Sequence, residues 1–236
     1  MSARVPTAVM LQTWARITFL HWRYPPDQLA SRLPSGLSID TFDGSAWLGL
    51  TPFVIEGLRP PLLPPLPWIS RFPETNLRTY VRGPDGAPGI WFFSLDAARA
   101  PAVVAARITY GLPYVWSRMR VTSAAARVEY RSSRMWPNRV ARTHIRIEHG
   151  GALEKDALGD FLTERYRLYT TLGGKLASAA IDHVPWPLQR ARVVELQQTV
   201  TDAAGLGQPA GPPLAYFSDG MESRIAAPAV LIRPTT

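Results

Sequence analysis

A chain of 236 residues with 46% hydrophobic side chains can bury one large core or two small ones without a covalent staple. It contains no cysteine, which excludes a disulfide framework, a thiolate nucleophile and a cysteine-ligated metal. The net charge of +8 comes from 26 basic against 18 acidic residues, and Lys155 and Lys175 are the only lysines, which leaves 24 arginines. The arginines are scattered singly from Arg4 to Arg233, with loose groups such as Arg118/Arg120 and Arg131/Arg134, so no nucleic-acid partner is expected. No stretch approaches the ~18 apolar residues of a membrane helix. The N-terminal MSARVPTAVMLQTWARITFLHW lacks the long apolar core of a secretory signal. The expectation is a soluble, cytoplasmic protein without a membrane partner.

In chain order, Trp14 to Trp22 alternates as a strand, with Ile17, Phe19 and His21 on one face. Pro25, Pro26 and Asp27 open a short helix carrying Leu29 and Leu33 and stopped by Pro34. Residues 37–42 and 45–55 flank Asp43-Gly44, a pair suited to a tight hairpin turn, and Asp40 and Asp43 read as turn residues. RPPLLPPLPW, residues 59–68, can be neither helix nor interior strand. It fits a lid, a partner-binding polyproline segment, or a rigid apolar loop packed on the barrel, the last being favoured.

Strands at 74–82 and 89–95 join through Pro84-Asp85-Gly86, and Ala98 to Gly111 has helical spacing with a glycine where a C-cap belongs. Residues 114–122, 126–132 and 140–148 suggest a meander, and 157–164 a second helix. Strands at 166–171 and 176–183 flank Gly173-Gly174, another strand covers 193–200, and 214–232 adds one or two more, broken by Pro228. No repeat or linker divides the chain. One α+β domain over residues 1–236 is expected: mainly antiparallel β, a closed or strongly curved barrel with two or three helices.

FPETNLRTYV (72–81) raises the functional question. Counting by twos puts Glu74, Asn76, Arg78 and Tyr80 on one face. Arg78 has the fork that clamps a carboxylate, and Glu74 is a candidate base. A solvated face, or a buried structural ion pair, would give the same pattern. The opposite face, with Thr75 and Thr79, is hardly more apolar.

Several segments together carry a resemblance: FLHW (19–22), LPSGL (33–37), FPETNLRTYV, GIWFFSLD (89–96), GLPY (111–114), FLTERYRLY (161–169) and HVPW (183–186). The set resembles the YqjF-like bacterial family within the acetoacetate-decarboxylase-like superfamily, over roughly the whole chain. Similarity to the decarboxylases proper covers about the first half. It implies an acetoacetate-decarboxylase-like barrel with a central pocket, and Glu74 matches a glutamate of the decarboxylase active site. Their pattern G-R-E-x-x-x-[FY]-P-K-K, whose first lysine forms an imine with a β-keto acid, corresponds here to residues 106–115. Arg107 and Pro113 keep their places, but the glutamate is Ile108 and the two lysines are Tyr114 and Val115. Imine chemistry needs an amine of lowered pKa, so a Schiff-base decarboxylase is not expected.

With Glu74 at that position, the polar row is expected to face inward. The ligand would be a small molecule bearing a carboxylate or carbonyl, held by Asn76, Arg78, Tyr80, Arg107 and Tyr114. Glu74, His21 and His183 are the candidate catalytic groups, although either histidine could equally be a satisfied core residue. Any catalysis would be cofactor-free acid–base chemistry. No HExxH, carboxylate cluster, P-loop, dinucleotide pattern or GxSxG is present, so neither metal nor cofactor is expected. Whether a cavity larger than ~300 Å³ opens onto Glu74 and Arg78 is the observation that bears most on this reading. The rival reading is a non-catalytic protein in which these residues form a structural polar network. Homo-oligomeric assembly fits either reading.

Overall fold

The computed structural model describes residues 7–137 and 139–231. Its strands are β1 (Ala8–Tyr24), β2 (Ser38–Ile39), β3 (Ala46–Arg59), β4 (Phe72–Arg82), β5 (Pro88–Ala97), β6 (Tyr114–Ala124), β7 (Arg127–Trp136), β8 (Arg142–Ala152), β9 (Arg167–Leu172), β10 (Lys175–Asp182), β11 (Gln189–Gln198), β12 (Leu214–Ala226) and β13 (Ala229–Val230). The helices are α1 (Pro26–Ala30), α2 (Ala100–Tyr110), α3 (Ala157–Thr163) and α4 (Val200–Ala203). Two or three helices were expected; α4, a single turn after β11, has no periodicity to announce it. Ile232, placed by the sequence reading in the last strand, lies outside the described residues.

The sheet closes on itself. Nine strands run β5-β6-β7-β8-β11-β12-β1-β3-β4 and return to β5. Two strands in this ring fork. The first half of β5 pairs with β9 through Ile90 and Trp91, whereas Leu95 to Ala97 pair with β6. On β12, Tyr216 and Phe217 pair with β11, whereas Arg224 and Ile225 pair with β10. Because β9 also pairs with β10, a second, seven-strand ring shares the wall β12-β1-β3-β4-β5 with the first. Both β5 pairings at the fork are parallel, which demands a crossover connection; α2 is the crossover between β5 and β6.

The forks explain why the shared strands read as poorly alternating. One apolar core, with Phe19, Phe53, Phe72 and Ile181, lies in the seven-strand ring. The other, with Leu20, Leu48, Leu77, Tyr130 and Ile145, lies across the same wall. A strand buried on both faces needs no polar side. Hence Thr75 and Thr79, at 2% and 0% exposed, are as buried as Glu74 and Tyr80.

On the cavity face of β1 the parity changes at Arg16. Arg16 has φ of 49° and the β1–β3 register shifts between Ala15 and Leu20, the signature of a bulge. Before it, Gln12 and Trp14 face inward; after it, Ile17 does.

Three local readings are corrected. Asp43 and Gly44, with φ of 50° and 71°, do make the turn, but only Phe42 and Ser45 pair across it. The preceding strand β2 pairs with β4 instead. Asp40, read as a turn residue, is 5% exposed and holds both Arg165 (2.7 Å) and Arg82 (2.8 Å). The proline-rich loop does not pack its leucines on the barrel: Leu62, Leu63, Leu66 and Trp68 are all exposed. It is tied at its base, where Ser70 Oγ accepts from Leu66 N (2.8 Å) and Arg99 Nε donates to Trp68 O (2.8 Å).

Candidate functional site

The interior of the seven-strand ring is not plugged. A cavity of about 180 Å³ remains between β1, β3, β4, β5 and α2. It is smaller than the ~300–1,000 Å³ of drug-sized sites, which limits an occupant to a few heavy atoms. The helix α2 closes one side with Ala102, Ala106 and Tyr110. It is held there by Tyr110, whose hydroxyl donates to Ala226 O (3.1 Å). It ends at Gly111, φ of 64°; a Cβ on that glycine would lie 2.1 Å from Thr171 O of β9, so no other residue fits there. No residue of the 60–68 loop lines the cavity.

Most of the wall is apolar; β3 and β4 carry one group of polar side chains, and Gln12, Thr163, Arg165 and His183 add others from elsewhere on the wall. Glu74, Asn76 and Arg78 all face the cavity, joined by Thr51 from β3 and Tyr114 from β6. The Tyr114 hydroxyl donates to the Glu74 carboxyl, 3.1 Å from Oε2 and 3.3 Å from Oε1. Burial pushes the Glu74 pKa up to about 8 because the apolar surroundings disfavour its charged form. Hydrogen bonds from Tyr114 and Asn76 pull it down in part, and the nearby Asp96 charge adds to the rise. At neutral pH Glu74 is therefore mostly protonated. Burial, with the Glu74 charge beside it, holds the Tyr114 phenol well above its usual range.

Among the described residues no carboxylate pairs with Arg78. The residue is 9% exposed, and its guanidinium lies near the faces of Phe19 and Tyr80, 5.6 and 5.9 Å from the ring centres. Nη2 makes one long hydrogen bond to Leu162 O (3.4 Å). Among the described residues Nε has no partner, nor do the neighbouring Asn76 Oδ1 and Thr51 Oγ1. The stem of Arg78 passes over Gly49, where a Cβ would stand 3.4 Å from Arg78 Cγ and 3.2 Å from the His21 ring. Unpartnered buried polar atoms are rare in folded proteins and call for an explanation. Here three of them share one cavity wall.

The remaining sequence candidates divide. His183 lies on the cavity wall, stacked on Tyr166 at 4.6 Å; its Nδ1 is 2.7 Å from Val184 O. His21 and Tyr80 form a layer behind Arg78 and do not line the cavity. The Tyr80 hydroxyl donates to Leu162 O (2.7 Å), so His21 Nε2, 2.7 Å away, must be the donor to Tyr80. Burial, and then the Arg78 charge, hold the His21 imidazole well below its usual pKa, neutral at physiological pH. Arg107 is not at the site. It is exposed on α2, donates to Tyr114 O (2.7 Å) and lies over Trp136 at 5.2 Å.

Thr51 and Arg165 were missed. Thr51 is the cross-strand partner of Asn76, a neighbour that only the β3–β4 register reveals. In FLTERY it is Arg165, not Glu164, that lines the cavity; Glu164 is occupied by Lys155, by Tyr166 (2.7 Å) and by Trp186 N (2.9 Å). Neither lysine lies on the cavity wall. Among the described residues no group of three His, Asp or Glu side chains could hold a metal ion. No helix among them is long and apolar enough to cross a membrane.

A profile of the DUF2071 family of uncharacterized conserved proteins matches residues 11–222. The chain belongs to the DUF2071 family. It is 41% identical over 212 residues to the uncharacterized protein YqjF of Bacillus subtilis (strain 168), covering 89% of this chain and 87% of that one. Among solved structures, the enduracididine biosynthesis enzyme MppR complexed with pyruvate superposes with a TM-score of 0.68 at 13% identity, over 98% of this chain and 93% of that one. Acetoacetate decarboxylase from Legionella pneumophila gives 0.66 at 12% identity, over 98% and 93%. At such identities these likenesses show the fold: this DUF2071 chain has the acetoacetate-decarboxylase-like barrel.

Proposed function

We propose that the protein binds a small carboxylate-bearing metabolite in the barrel cavity, with Arg78 taking the carboxylate. The observation that carries this reading is the missing counter-ion of Arg78. A buried guanidinium costs several kcal/mol when uncompensated, and a ligand carboxylate in fork geometry would offset that cost. Glu74, protonated at neutral pH, adds no negative charge to repel it. A fold neighbour, MppR, is a protein solved with pyruvate bound, which supports a small acid as the kind of occupant.

The reading excludes imine catalysis, because Tyr114 stands where the decarboxylase resemblance has its lysine and both lysines lie off the cavity. Borohydride trapping with acetoacetate should leave the mass unchanged; a stable adduct on Lys155 or Lys175 would refute this. Glu74, with a pKa near neutrality, is suited to donate a proton to, or remove one from, a carbonyl compound held beside it. Calorimetric titration with small monocarboxylates tests the binding claim. If folded Arg78→Ala and Glu74→Gln proteins bind every acid as the parent does, the proposed site is wrong.

A further inference from the structure

The unpartnered atoms on the wall differ in what they can accept. Thr51 and Asn76 are directly paired residues of β3 and β4 and both face the cavity, so their Cα atoms lie ~4.5–5.5 Å apart. Of the Asn76 amide, the oxygen Oδ1 is buried with no partner among the described residues. That leaves Oδ1 as a buried acceptor with no donor. Thr51 Oγ1, also unpartnered, can donate and accept. Arg78 lies two residues along the same face, ~6.5–7 Å from Asn76, and offers only donors.

Resting on the carboxylate reading above, we infer that the occupant is a short-chain hydroxy monocarboxylic acid, its carboxylate on Arg78 and its hydroxyl between Asn76 and Thr51. A hydroxyl is the simplest group that can donate to Asn76 Oδ1 and accept from Thr51 Oγ1 at once. A keto oxygen only accepts. It can take the Thr51 proton, but it leaves Oδ1 orphaned and faces it with a second lone pair. An unsubstituted acid leaves both atoms orphaned. The apolar wall, with Phe53, Phe92 and Leu95, accommodates the alkyl part. The cavity of about 180 Å³ restricts that part to a short chain.

The test is a chain-matched titration of the wild-type protein with four-carbon acids: both enantiomers of 2- and 3-hydroxybutyrate, then 2-oxobutyrate, acetoacetate and butyrate. At least one hydroxybutyrate should bind about tenfold or more tightly than its oxo counterpart and than butyrate, the usual consequence of leaving a buried acceptor unpaired. Asn76→Leu should narrow that gap to within about twofold. Equal affinities for the hydroxy acids and butyrate in the wild-type protein, both lost in Arg78→Met, would overturn the hydroxyl assignment and leave the carboxylate reading standing. If none of the acids binds, both readings fail together. The wild-type series decides even if the Asn76 variant does not fold.

Discussion

Arg134 and Arg78 are both buried, and both approach the β4–β5 strand pair, from opposite faces. On the face turned toward the other core Arg134 is matched: Nε and Nη2 both donate to Asp96, at 2.9–3.1 Å, and Nη2 reaches Ser94 Oγ (2.8 Å). Ser117 then donates to Asp96 at 3.0 Å. On the cavity side Arg78 has a long contact to one carbonyl, two aromatic faces and an empty Nε. A third buried arginine, Arg165, has Asp40 at 2.7 Å. Among the described residues Arg134 and Arg165 thus have carboxylate partners, Arg165 although it too lines the cavity, whereas Arg78 has none. Its counter-ion is best sought outside the chain.

That contrast can be broken by experiment, beginning with the matched site. Asp96→Ala should cost ~3–5 kcal/mol in urea unfolding, because it strands a buried Arg134 charge. Arg78→Met breaks no pair, so unfolding should change by less than ~1 kcal/mol or show a gain. The same variant should weaken binding of a small acid by about thirtyfold or more. If Arg78→Met destabilises as much as Asp96→Ala does, Arg78 is structural and the contrast disappears.

Glu74 sharpens the comparison through pH. Its folded pKa of about 8 exceeds the ordinary value of 4.5, so between those values the folded state holds a proton that the unfolded state has released. Stability is favoured at low pH and lost as pH rises through the folded pKa. Relative to Glu74→Gln, wild-type stability should fall by ~2 kcal/mol between pH 6 and 7.5, at ~1.4 kcal/mol per unit; parallel profiles would show that the carboxyl is ionised throughout. Tyr114→Phe removes a hydrogen bond that lowers the Glu74 pKa. It should cost ~1 kcal/mol and move the break in that profile to higher pH. Arg107→Ala, outside the cavity, should alter stability by no more than ~0.5 kcal/mol and leave acid binding unchanged; a clear binding loss would return Arg107 to the site.

Much of the fold was legible because its signals are local. The Gly111 cap, the Gly173-Gly174 turn and the alternation of Glu74, Asn76 and Arg78 each need only a few neighbouring residues. The site was legible in part for the same reason: a strand's period of two puts those three side chains on one face whatever lies opposite. The Arg16 bulge was not legible, since nothing in WARITFLHW distinguishes it from a regular strand, and it decides that Trp14 shares the inner face with Ile17. Asp40 was misread because its two arginine partners lie 42 and 125 residues away. Arg107 kept its place in a motif, yet its helix face points outward.

By itself, then, the sequence determined which groups travel together: an acid, an amide and a base on one strand face, and a phenol in place of a lysine. Only the tertiary structure decided which of them meet empty space. That depends on the forks at β5 and β12, which enclose β4 on both sides, and on whether a distant carboxylate arrives opposite each arginine. Pairing across a closed sheet is set by strand register over long separations, and no local pattern carries that information.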